Sequence, residues 1–141
     1  MEKSKLSMFL TITTIVFASM NFQGSHAKEH IVGNRFGWSV PPEENFYQNW
    51  ASHETFQAND VLVFNFINGL DTVEQVSKAA YDMCDGSKPI SYHTTSPARI
   101  TIDPKLPQYY ICSAWAHCRM FQKVGFSIST AADNSSSTLL H

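Results

Sequence analysis

Between Lys28 and Thr130 the apolar residues of this chain recur at every second position in short runs, and nowhere do they sustain a helical period. Residues two apart on extended backbone share a face, so Val124-Gly125-Phe126-Ser127-Ile128 can bury Val124, Phe126 and Ile128 on one side. Comparable runs are Glu29 to Val32, Val61 to Phe66, Val73 to Val76, Ile100 to Ile102 and Tyr109 to Cys112. Turn-forming clusters separate them, among them Pro41-Pro42-Glu43-Glu44-Asn45, Asn59-Asp60, Asn68-Gly69, Asp85-Gly86-Ser87 and Pro104 to Pro107. This pattern predicts one all-β domain, a sandwich or barrel, over residues 28–130. Two short helices fit between the strands: Phe46 to Ala51, with Phe46, Tyr47 and Trp50 turned inward, and Ser77 to Asp82.

The two ends of the sequence read differently. Lys3 and Lys5 precede an apolar run from Leu6 to about Met20, and Ser25-His26-Ala27 supplies small residues at −3 and −1. That layout predicts a signal peptide over residues 1–27, cleaved after Ala27, because the run falls short of the roughly 20 residues a spanning helix needs. Residues 131–141 are small and polar and are expected to form a flexible tail; Asn134-Ser135-Ser136 is the chain's single glycosylation sequon. Only Leu139-Leu140 stand where a lipid-anchor signal would need some 10–20 apolar residues, so no membrane anchor is expected after cleavage. A net charge of −2 and a pI near 6.3 leave no footprint for nucleic acid or an anionic membrane surface. A secreted, extracellular monomer is the expectation.

Three cysteines, Cys84, Cys112 and Cys118, follow the signal segment, and an oxidising compartment allows one disulfide among them. Adjacent residues of an extended chain point to opposite sides, so His117 can face a site while Cys118 faces away and pairs with Cys84. Closing that loop is worth ~3–4 kcal/mol on the chain-entropy estimate. Cys112 is then the free thiol. The segment Tyr109 to Lys123 leaves one strand, forms a loop and enters the next, letting Cys112, His117 and Gln122 converge from one rigid turn. A thiolate, an imidazole and a weak third donor belong to the ligand set of a blue-copper site, which takes one Cys, two His and a long axial Met or Gln.

Tyr110-Ile111-Cys112 through His117-Cys118 to Gln122-Lys123 resembles the copper loop of the phytocyanins, with Gln122 where stellacyanin-type members carry an axial glutamine. Val32-Gly33 with Gly37-Trp38, Tyr47-Gln48-Asn49-Trp50-Ala51, Thr55-Phe56 with Asp60 to Phe64, Tyr81 with Cys84, and Pro97 to Ile102 follow the family's order. The resemblance implies a cupredoxin-like Greek-key β-sandwich, one copper per domain, electron transfer and a place in the apoplast or cell wall. It also implies a histidine ligand within Gly69-Leu70-Asp71-Thr72-Val73, where this chain has Asp71.

A carboxylate is a harder donor than imidazole, so Asp71 would weaken Cu(I) binding and lower the reduction potential. Three readings follow. The domain has lost copper and serves as an early-nodulin-like interaction protein of the cell wall or surface, with Cys112 a buried inert thiol. Alternatively an altered site uses Cys112, His117, Gln122 and Asp71, and passes electrons to a small redox partner. The third, a hydrolytic Cys112, His117, Asp71 set, lacks an elbow motif and a recognisable oxyanion donor, so no enzyme is expected. His26, His30 and His141 are poor ligand candidates, His53 and His93 are expected on the solvated surface, and Trp115, in the loop, is expected to pack rather than to cover the site or form an exposed contact.

Overall fold

The computed structural model describes residues 26–130. The segment read as a signal peptide, apart from its last two residues, the polar tail and Asn134 lie outside the described residues. Among the described residues seven strands form two sheets: β1 (Glu29–Ile31), β2 (Val61–Phe64) and β5 (Ala98–Thr101) in one, β4 (Ser91–His93), β3 (Val73–Gln75), β6 (Tyr109–Ile111) and β7 (Lys123–Gly125) in the other. β1 runs parallel to β2, and the remaining pairs are antiparallel. The runs of alternating residues form strands at their expected places but are mostly shorter.

The sheets close on an aromatic core. Trp38 packs on Tyr47 at 4.9 Å and edge-on against Phe64 at 5.0 Å between ring centroids, and Phe64 reaches Tyr110 at 5.5 Å. Burying a ring of this size contributes about 1.5–3 kcal/mol. Helix α1 (Phe46–Ser52) lacks a side-chain cap, so packing rather than capping holds it: Tyr47, Trp50 and Ala51 turn inward. The Tyr47 hydroxyl donates within reach of Gly37 O at 2.9 Å and Ser39 O at 2.8 Å, and accepts from Ser39 N–H at 2.9 Å. Helix α2 (Lys78–Met83) begins on Ser77, whose side chain accepts from Ala80 N–H, and ends on Cys84 in the left-handed region at φ 53°.

The turn after β1 requires glycine. Gly33 has φ +72°, and a Cβ there would lie 2.3 Å from Gly37 O. This turn delivers Trp38, whose indole N–H donates to Thr72 O at 2.9 Å and so ties the core to the segment entering β3.

One expectation is overturned. His93 is not a solvated surface residue: it forms the end of β4 opposite Val73, is half-buried, and its Nε2 is buried without a hydrogen-bond partner among the described residues. His30, near the start of the domain, is 1% exposed, with Nδ1 2.6 Å from Glu54 and Nε2 2.8 Å from Asp60. Lys28 Nζ reaches Glu54 at 3.0 Å, and Asp60 also accepts from the N–H groups of Lys28 at 3.0 Å and Gln57 at 3.1 Å. Burial alone would raise both carboxyls, but hydrogen bonds from His30, joined by those from Lys28 and, at Asp60, Gln57, hold both below their ordinary values.

Candidate metal centre

Antiparallel pairing of β6 with β7 continues one step past the strands, where Cys112 N–H donates to Gln122 O at 3.0 Å. That pairing sets Cys112 and Gln122 opposite each other at the mouth of the 113–121 loop. Within the loop, His117 N–H bonds Ala114 O at 3.1 Å and Gln122 N–H bonds His117 O at 3.0 Å, which folds His117 back over the pair. Asp71 arrives from the other side: its N–H donates to Ile67 O at 3.1 Å in the turn before β3.

Asp71, Cys112 and His117 each place one donor atom within 4.8 Å of the others. His117 Nδ1 lies 3.5 Å from Cys112 Sγ and 3.3 Å from Asp71 Oδ1, while Gln122 Nε2 donates to Asp71 Oδ1 at 3.0 Å. Bonds of about 2.0–2.3 Å to one ion put neighbouring ligand atoms ~3.4–3.8 Å apart, so these separations suit a shared ion. Asp71 is 3% exposed and Gln122 fully buried, yet Asp71 Oδ2 and Gln122 Oε1 have no hydrogen-bond partner among the described residues. Two bare buried acceptors beside a thiol and an imidazole are the surroundings a cation would satisfy. The residues present therefore fit a metal ion.

Around this group, Thr72 N–H approaches Cys112 Sγ at 3.4 Å, and Ser113 N–H donates to Thr72 Oγ1 at 3.1 Å. Burial pushes the Cys112 thiol up, against the hydrogen bonds from Thr72 and Ala114 that favour the thiolate. Ser113 also bonds the buried Glu74, whose carboxyl burial raises against the pull of that hydrogen bond.

Cys84 and Cys118 form the disulfide, and Cys112 is free and buried. The reason that Cys118 turns from His117 differs from the extended-chain argument. His117 sits at φ −58° and ψ −43°, and Cys118 to Met120 form a 3₁₀ turn, so successive side chains diverge by about a third of a turn. Trp115 does not pack; it is 88% exposed. His53 is exposed, and among the described residues neither it nor His93 belongs to the cluster of metal-capable groups.

A family profile described as a plastocyanin-like domain matches residues 38–122. A blue copper protein of Arabidopsis thaliana is 35% identical over 133 residues, covering 93% of this chain and 66% of the relative. Early nodulin-like protein 15 of the same plant is 31% identical over 127 residues, covering 89% and 69% respectively. The chain thus spans about two thirds of the length of these relatives. Cucumber stellacyanin, whose solved structure is described with Cu2+, superposes at a TM-score of 0.64 with 33% identity, over 75% of this chain and 99% of its own. That likeness makes the two-sheet sandwich a cupredoxin fold.

Proposed function

The chain belongs to the phytocyanins, the plastocyanin-like cupredoxins of plants, and from that premise we propose that it is a secreted electron carrier working through a modified copper site. The observation that carries this reading is the convergence of Asp71, Cys112 and His117 within 4.8 Å, with two unpartnered acceptors beside them. Cys112, His117 and Asp71 would hold copper, with Gln122 Oε1 as the weak fourth donor. Copper so bound supplies one-electron exchange between its two oxidation states. The chain's own part is to hold the donors where folding leaves them: Thr72 and the β6–β7 pairing fix Cys112, while Gln122 fixes the Asp71 carboxylate. The anionic Asp71 favours the more highly charged ion and so a low potential.

Secretion in this reading rests on the signal-like pattern of residues 1–27. Cleavage after Ala27 would turn the Lys28 nitrogen, which already donates to Asp60 Oδ1 at 3.0 Å, into an ammonium. The partner in this reading is a small redox protein or an apoplastic reductant, and no enzyme activity is proposed.

Asp71 at the histidine position, together with the likeness to early nodulin-like protein 15, favours a second reading: a copper-free interaction protein of the cell wall or surface. Loading the purified domain with Cu(II) and recording its visible spectrum, before and after Asp71→His, decides between the two. Intense thiolate charge-transfer absorption in the unchanged protein is the expected result, shifted in energy by the substitution. Colour confined to Asp71→His would establish the copper-free reading and identify Asp71 as the residue that disables the site.

A further inference from the structure

The loop that carries His117 also walls a cavity of about 170 Å³, bounded by the Cys84–Cys118 disulfide and reaching Cys112, with Trp115 and Arg119 at its edge. A cavity of about 150 Å³ is enough to admit a benzene molecule, so this half-open cleft, whose surface is more polar than apolar, has the size for one aromatic ring bearing a small substituent.

Two side chains at its edge are unusual. Trp115 holds its indole 88% exposed on a backbone at φ 52°, a region disfavoured for any residue with a Cβ and an outlier for a bulky one. Among the described residues the indole makes no ring contact and no hydrogen bond. Its strained placement therefore serves no internal packing, and strain of this kind collects at ligand clamps. Arg119 is exposed, and no ion pair or hydrogen bond engages its guanidinium among the described residues. No acidic residue lines the cavity, so its one formal charge is positive.

We propose that this cavity binds a small planar aromatic anion, its ring stacked on Trp115 and its carboxylate paired with Arg119. The indole face and the disulfide sulfurs suit an aromatic ring, and a guanidinium matches a carboxylate in plane and charge. Nothing in this site requires Asp71 or a bound metal, so it stands or fails apart from the copper reading.

Benzoate, benzamide and cyclohexanecarboxylate separate the contributions when titrated into the full chain as purified, followed by the nitrogen–proton resonances of Trp115 and Arg119. Benzoate is expected to shift both side-chain signals saturably. Benzamide, without the charge, and cyclohexanecarboxylate, without the π face, bind at least about tenfold more weakly. Trp115→Ala and Arg119→Gln each weaken benzoate at least about fivefold, and since both side chains are exposed the urea midpoint stays where it was. Equal affinity for the three probes, no saturable shift at millimolar benzoate, or unchanged benzoate binding in both variants overturns the proposal.

Discussion

Among the described residues two histidines stand against carboxylates, and they are finished differently. At His30 both ring nitrogens are engaged, by Glu54 at 2.6 Å and Asp60 at 2.8 Å; Lys28 Nζ and Gln57 N–H share those same two oxygens, and Lys28 N–H donates to the other Asp60 oxygen. At His117 one nitrogen faces Asp71 at 3.3 Å and Cys112 at 3.5 Å, and the neighbouring Asp71 Oδ2 and Gln122 Oε1 are left bare. The first is a closed network that fastens β1 to the segment between α1 and β2. The second is open, and its unused acceptors are what a bound cation would occupy. Residue type alone does not distinguish the two; completeness of hydrogen bonding does.

The largest effect expected from this contrast is on stability. His30→Leu removes a buried partner of both carboxyls and leaves Asp60, 4% exposed, with only the backbone N–H groups of Lys28 and Gln57, at a cost of about 3–5 kcal/mol measured by urea unfolding. A loss under ~1 kcal/mol would show that Lys28 and Gln57 alone close the network. Next in size is the acid limb of stability. Glu54 and Asp60 have folded values below their ordinary ones, so their contribution is complete above the ordinary carboxylate values of about 3.9–4.3 and is lost as pH falls through the lower folded values. Urea midpoints between pH 6 and pH 2 are expected to fall in that lower window, with a shallower slope in His30→Leu; parallel curves would break the link to His30. The smallest effect belongs to the open site. Asp71→Asn in metal-free protein keeps an acceptor for Gln122 and removes a buried charge, so it is expected to change stability by less than ~1 kcal/mol. A loss as large as that of His30→Leu would mean the two sites are alike after all.

The closed site was invisible to sequence reading because its members stand 24 and 30 residues from His30 and carry no spacing signature. The open site was legible in part. Cys112, His117 and Gln122 share one loop whose spacing is local, and Asp71 was marked only by the phytocyanin resemblance. Strands with alternating apolar residues were legible for the same local reason. β4 was missed because Ser91, Tyr92 and His93 are half-buried or exposed and show no apolar period. Trp115 misled in the opposite direction: its composition argues for burial, and only the backbone at φ 52° turns it outward.

The arrangement of the three cysteines bears on how such a molecule is made. Cys84, Cys112 and Cys118 all line one cavity, and three thiols permit three single-bond pairings. The pairing seen leaves Cys112 free, whereas each of the other two would consume it. Oxidation of the three thiols thus has one outcome that spares the proposed site: pairing Cys84 with Cys118 keeps the Cys112 thiol, whereas pairing through Cys112 consumes it until thiol–disulfide exchange reopens the bond.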